Sequence, residues 1–171
     1  MHIKSINDHG EISGYASVFD VVDGHNDLVL KGAFTKSVEN FRTNQKPKLL
    51  WQHDVNFPIG IIDDLYEDDY GLFVKSRLLL DIPKSREVYS LLKNKAIDGF
   101  SIGYSINKSY IKGATQYLSD LNLLEISIVT FPACKEALIE NIKSRDNSHC
   151  LDLINTISNK LEKINKQRSA A

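Results

Sequence analysis

Hydrophobic and polar positions alternate with a period of two along most of this chain, and only in a few segments does the spacing lengthen to three and four. The alternation predicts strands at Ile3–Ile6 and Glu11–Asp20 around a turn at Asp8-His9-Gly10, then a loop over 21–27 and a short strand Leu28–Leu30 stopped by Gly32. Phe34, Val38 and Phe41 fall at helical spacing, so Ala33–Arg42 is expected to be a helix. Lys48–Asp54 reads as a strand with Leu49, Trp51 and His53 on one face and Leu50, Gln52 and Asp54 on the other, breaking at Asn56-Phe57-Pro58. Ile59–Tyr66 and Leu72–Leu80 form a hairpin around an acidic turn at 67–71. That turn reads as a solvated tip, because it lacks the acid spacing and terminal glutamate of a calcium loop. Ser85–Lys95 is expected to be a helix, with Ser85 as its cap and Val88, Leu91 and Leu92 on the buried side.

The strand after Asp98-Gly99 has two chemically opposite faces. Phe100, Ile102, Tyr104 and Ile106 can fill a core, whereas Ser101, Gly103 and Ser105 offer a hydroxyl with little bulk beside it. Asn107–Thr115 is polar enough for an exposed connection or the twisted end of a long hairpin, and Gln116–Thr130 returns to strand. In its second half Leu121, Leu123, Glu125, Ser127 and Val129 are expected on one face, which sets a single carboxylate in apolar surroundings. An unpaired buried carboxylate is costly, so Glu125 needs a partner. Phe131-Pro132-Ala133 closes that strand, and a short helix over Lys135–Lys143 and a polar break at 144–148 follow. The tail then carries Leu151, Ile154, Ile157, Leu161 and Ile164 at spacings of three and four. The division expected is a β-barrel domain over 1–144 and a C-terminal amphipathic helical tail over 145–171. That tail docks on its own domain or, alternatively, binds a partner or forms a homo-oligomer. About nine strands and three or four helices without a βαβ rhythm point to a mainly antiparallel, partly closed β-barrel with peripheral helices.

The bulk numbers narrow the class. A chain of 171 residues, 42% apolar and 25% charged, is long enough to bury a core in one domain. A formal charge of −1 with acids and bases intermixed gives no field for nucleic acid or an anionic membrane, and neither is expected as a partner. The polar start and the lack of a long apolar run predict a cytoplasmic protein. Cys134 and Cys150 have no metal-ligand spacing and are expected to be free thiols without a role; no cofactor and no metal are expected.

Three separated residues suggest chemistry. A serine hydroxyl needs a base, an imidazole is suited to that work, and a carboxylate on the second ring nitrogen fixes the tautomer. Of five histidines, His53 is the best placed, since His2, His9, His25 and His149 fall near a terminus or in turns and loops. Ser101, His53 and Glu125 are therefore the candidate nucleophile, base and orienting acid. Asp54 and Asp120 compete for the acid's place, but Asp54 is expected on the strand face opposite His53 and Asp120 at a hydrated strand entrance. Two rival readings stay open: a β-barrel scaffold or binding module in which the three residues form only a satisfied buried network, and a metal-dependent hydrolase using His53 and Asp54 with the acids of 63–69.

A resemblance favours the reading of Ser101, His53 and Glu125 as nucleophile, base and acid. Gly32-Ala33-Phe34, then Leu49-Leu50-Trp51-Gln52-His53-Asp54 with Pro58-Ile59-Gly60, then Gly71-Leu72, Gly99-Phe100-Ser101-Ile102-Gly103-Tyr104 and finally the block Leu124 to Ala133 resemble, in order and spacing from about residue 11 to 140, the prohead maturation proteases of tailed bacteriophages. That family is related in fold to the herpesvirus maturational protease. The resemblance implies a β-barrel serine endopeptidase with Ser101 as nucleophile, His53 as general base and Glu125 as third member. It further implies a major capsid protein or scaffold protein as substrate, cleavage inside assembling proheads in the host cytoplasm, and self-cleavage as well. The first dozen residues and the tail carry no motif of this kind.

A chain ending near Ser144 should still fold and hydrolyse a peptide, but lose partner binding or self-association in light scattering. Aggregation of that truncated chain would instead make the apolar stripe of the tail part of the core.

Overall fold

The computed structural model describes residues 3–6, 9–43 and 45–134. Among these are eight strands and two helices: β1 (Ile3–Ile6), β2 (Glu11–Val18), β3 (Asp27–Val29), α1 (Thr35–Arg42), β4 (Lys48–Trp51), β5 (Asp54–Glu67), β6 (Gly71–Leu78), α2 (Pro83–Lys93), β7 (Gly99–Lys112) and β8 (Thr115–Val129). The helix expected over Lys135–Lys143, Cys150 and the tail of 145–171 lie outside the described residues. No helix among the described residues is long and apolar enough to cross a membrane.

The strands make one strongly curled sheet in the order β1-β2-β6-β5-β4-β8-β3, with β7 along the other edge of β8. The three hairpins predicted by alternation are present as β1–β2, β5–β6 and the long β7–β8 pair, all antiparallel. The expectation of an antiparallel, partly closed barrel needs correction, because the sheet is an open half-barrel of mixed direction. Both β3 and β4 run parallel to β8, against its residues 116–118 and 125–128. The chain leaves the β8 edge after Val29, forms α1, and returns to the same edge in the same direction. Across that gap the backbone of β8 is satisfied by the helical segment. Leu121 N–H donates to the Ala33 carbonyl at 2.8 Å, while the Ser37 hydroxyl donates to the Leu121 carbonyl at 2.9 Å and accepts from Leu123 N–H at 3.0 Å. Buried Ser37 thus stands in for a missing strand.

Phe34, Leu49, Ile59, Leu72, Phe100 and Leu121 are essentially inaccessible and form the centre of one core, which Val38 and Phe41 of α1 and Val88 and Leu92 of α2 complete. Ser85 does not cap α2 as expected. Pro83 opens that helix, a position where a missing N–H costs nothing, and the buried Ser85 hydroxyl donates to the Ile59 carbonyl at 2.7 Å. Leu91 faces outward rather than inward. The expected break at 56–58 is also absent: β5 runs through Pro58, which sits opposite Leu50 at an irregular step of the register. The acidic turn is bonded rather than merely solvated. Glu67 accepts from Phe34 N–H and the Thr35 hydroxyl at the start of α1, and Asp68 accepts from Tyr70 and Gly71 N–H.

One irregularity decides which side chains can meet. Ser101 pairs with Ser127, Ile102 with Ile126 and Gly103 with Glu125, but Tyr104 pairs with Leu123, so Leu124 is an extra residue in β8. This bulge switches the alternation. Leu121 and Leu123 before it, and Ile126 and Ile128 after it, all join the core, while Glu125 and Ser127 move to the opposite face. The single face expected for Leu121, Leu123, Glu125, Ser127 and Val129 is therefore corrected, with Leu124 itself exposed.

Neighbours on β7 should respond very differently to truncation. Phe100→Ala should lose about 3–5 kcal/mol in urea unfolding because it empties a fully buried site. Ser101→Ala, on the other face and without a side-chain partner among the described residues, should change stability by no more than about 0.5 kcal/mol.

Candidate active site

Direct pairing places Ser101 and Gly103 of β7 beside Ser127 and Glu125 of β8 on one face of the sheet. β4 lies on the far edge of β8, with Lys48 opposite Glu125 and Trp51 opposite Ile128. At its end the chain reverses through Gln52 and His53, both with positive φ (54° and 60°), and Trp51 then pairs with Asp54. Two central residues of that sign make the tightest hairpin connection and usually call for Asn-Gly. Here neither is glycine, so each carries a backbone cost of about 1–3 kcal/mol. Hydrogen bonds hold the turn: Gln52 N–H donates to the Ile128 carbonyl at 3.0 Å, Gln52 Nε2 to the Thr130 hydroxyl at 2.7 Å, and His53 N–H to Ser127 Oγ at 3.0 Å.

The turn folds back over the sheet and sets the imidazole on the carboxylate, with His53 Nδ1 2.6 Å from Glu125 Oε1. An ionised carboxylate can only accept, so the proton of this bond sits on Nδ1 and Nε2 is left as the basic nitrogen. Buried Ser127 donates to Glu125 Oε2 at 2.7 Å and so ties the acid, through its own hydroxyl, to the backbone of the histidine. The Glu125 side chain is 13% exposed and that of His53 44%. Gly103 makes the arrangement sterically feasible: a Cβ there would lie 2.3 Å from Glu125 Oε1. The clearance that sequence inspection attributes to the serine is, at Gly103, space for the acid.

Ser101 is only 7% exposed, yet its hydroxyl has no hydrogen-bond partner among the described residues. With His53 it lines a cavity of about 190 Å³. The competing acids are engaged elsewhere. Asp54 accepts from the backbone and side chain of Asn56. Asp120 is buried rather than hydrated, and bonds from Lys36 Nζ at 2.6 Å and Asn107 Nδ2 at 3.1 Å hold its carboxyl below the usual range. The described residues contain no cluster of metal-ligating type, and Asp63, Asp64, Glu67 and Asp68 each have local partners.

Sequence reasoning missed several members of the site. Ser127 was legible only as the residue two along from Glu125 on the same strand face. Asp23, His25 and Asp27, read as loop, line the cavity together with Tyr104. Asp23 Oδ1 accepts from His25 and Asp27 N–H, and Asp27 Oδ2 accepts from the Tyr104 hydroxyl at 3.1 Å. Burial, reinforced by the Asp27 and Asp23 charges, raises the Tyr104 hydroxyl above its ordinary range, so it remains a donor. Cys134, buried and free, closes one side.

Known proteins share this framework. The capsid assembly protease of bacteriophage T4 superposes with a TM-score of 0.50 at 15% identity, over 71% of this chain and 82% of that one. The KSHV protease, solved with a hexapeptide phosphonate inhibitor, gives 0.51 at 12% identity over 75% and 62%. In sequence, the prohead protease of Enterobacteria phage HK97 is 32% identical over 141 residues, which cover 80% of this chain and 62% of that relative's length. The family model of the caudovirus prohead serine proteases matches residues 1–152. With most of its length matched in this way, the chain belongs to the caudovirus prohead serine protease family.

Proposed function

We propose that this protein is a serine endopeptidase of capsid maturation in which Ser101 attacks, His53 moves the proton and Glu125 orients and stabilises the imidazole. The observation that carries the reading is the 2.6 Å contact of His53 Nδ1 with Glu125, together with a Ser101 hydroxyl that lines the same cavity as His53 and has no partner among the described residues. In the first step Nε2 takes the Ser101 proton as Oγ bonds to the peptide carbonyl, and Glu125 stabilises the imidazolium. Nε2 then gives that proton to the leaving amine, the C–N bond breaks, and an acyl-enzyme remains. Water, deprotonated by the same nitrogen, hydrolyses it. Ser127 and Gly103 act indirectly: the hydroxyl holds the acid to the histidine backbone, and the bare glycine leaves room for the carboxylate.

Family membership supports a major capsid or scaffold protein as the substrate, within assembling proheads in the host cytoplasm, with cleavage of the chain itself included. Co-expression with the capsid protein, followed by intact-mass measurement of both chains, tests this. Shortened capsid or scaffold chains should appear with the native protein and vanish with Ser101→Ala or His53→Ala, since losing either member of such a pair removes most of the combined effect. Glu125→Gln should slow cleavage by roughly 10²- to 10⁴-fold with binding nearly intact. Unchanged processing by Ser101→Ala would end the serine reading, and unprocessed partners with the native protein would favour a scaffold module.

The indirect roles predict a milder loss. Gly103→Ala must displace Glu125, and Ser127→Ala releases it. Each should lower turnover by about 10- to 100-fold while the substrate KM stays constant. A matching rise in KM would assign these residues to substrate binding instead.

A further inference from the structure

The cavity beside Ser101 has a composition that the cleavage chemistry does not require. Part of its wall is apolar, from Val18, Val21, Val29 and Ile102, and it carries two carboxylates, Asp23 and Asp27, with no lysine or arginine among the described lining residues. Each carboxylate has one oxygen occupied, Asp23 Oδ1 by two backbone amides and Asp27 Oδ2 by the Tyr104 hydroxyl. The second oxygen of each has no partner among the described residues. The Tyr104 hydroxyl, held protonated by burial and by these charges, donates to Asp27 and is not a counter-ion. Of the two imidazoles on the wall, that of His53 is taken by Glu125. Opening into the same space is the hydroxyl of Ser101, a residue only 7% exposed, with no hydrogen-bond partner among the described residues. At about 190 Å³ the space exceeds the ~150 Å³ that admits a benzene ring, so it takes one long side chain and not a second strand.

Apolar walls leading to carboxylates suit a chain of methylenes that ends in a cation, because such a side chain buries its stem and presents its charge to acceptors. We propose that this cavity binds a lysine or arginine side chain of the peptide substrate beside the bond that is cut, with Asp23 and Asp27 as the specificity-determining residues. The proposal rests on the reading of Ser101 as nucleophile and adds the class of side chain that the site takes. A neutral side chain of equal length would leave both free carboxylate oxygens without a cation, and an acidic one would face two like charges.

Peptidyl diphenyl phosphonates test it on the full chain. In the labelling step Ser101 Oγ bonds to phosphorus, one P–O aryl bond breaks, and the serine proton passes through His53 to the departing phenolate. Three probes that differ only in the side chain next to phosphorus, of lysine, norleucine and glutamate type, are compared by the rate at which adduct mass appears on the Ser101 peptide. The lysine probe should label about 10- to 100-fold faster than norleucine, with glutamate slowest. In Asp23→Asn and Asp27→Asn, which keep the oxygen that each neighbour uses, the lysine-to-norleucine ratio should fall toward one. Equal rates for lysine and norleucine on the native protein, or a ratio unaltered in both variants, overturn the pocket assignment while leaving Ser101 as nucleophile. Failure of all three probes to mark Ser101 would remove the nucleophile and the pocket with it.

Discussion

Glu125 is a carboxylate largely withdrawn from water, and several features of the sheet serve to give it partners. Left alone at 13% exposure it would cost several kcal/mol; with His53 on one oxygen and Ser127 on the other it is satisfied. Each partner depends on a separate backbone device. The bulge at Leu124 puts Glu125 and Ser127 on the face that Ser101 and Gly103 share, and the tight turn at 52–53 brings the imidazole back over them. The backbone cost of two non-glycine residues with positive φ is offset by three hydrogen bonds to β8 and Thr130, one of which ends on Ser127 itself. Acid, base and turn therefore stabilise one another, and removing one loosens the other two.

The curled sheet supplies the setting. Parallel β4 reaches the β8 edge only because α1 occupies the gap between it and β3, and Ser37 and Ala33 satisfy the β8 backbone where no strand lies. The loop between β2 and β3 lends the cavity Asp23, and the first residue of β3 lends it Asp27. Ser101 and His53 line the same cavity as these carboxylates, so the His53–Glu125 contact and the acidic wall meet at one space.

Much of this was legible in the chain before any coordinates. Period-two alternation locates the hairpins, and the choice of His53 among five histidines, with Glu125 as its acid, names two residues that are in contact. The expected geometry differed. His53 was read as the end of a strand because Gln-His carries none of the glycine or asparagine that marks a two-residue turn. Glu125 was placed among leucines because an extra leucine in an apolar strand gives no sign of a bulge, and a shift of one residue reverses every face after it. The imidazole comes from the turn after a parallel neighbour, a pairing set by contacts more than 70 residues apart in the chain. Asp23 and Asp27 both read as loop residues; Asp23 is one, its carboxylate capping the turn, whereas Asp27 opens β3, and both line the cavity.

Whether His53 can take a proton from Ser101 depends on which of its nitrogens already carries one. In protein labelled with ¹⁵N-histidine, long-range proton–nitrogen correlations distinguish the two neutral tautomers directly. The geometry predicts that neutral His53 is protonated at Nδ1, toward Glu125, with Nε2 unprotonated, and that this preference weakens in Glu125→Gln. A neutral His53 protonated at Nε2 would contradict it, because the nitrogen assigned to take the Ser101 proton would already hold one.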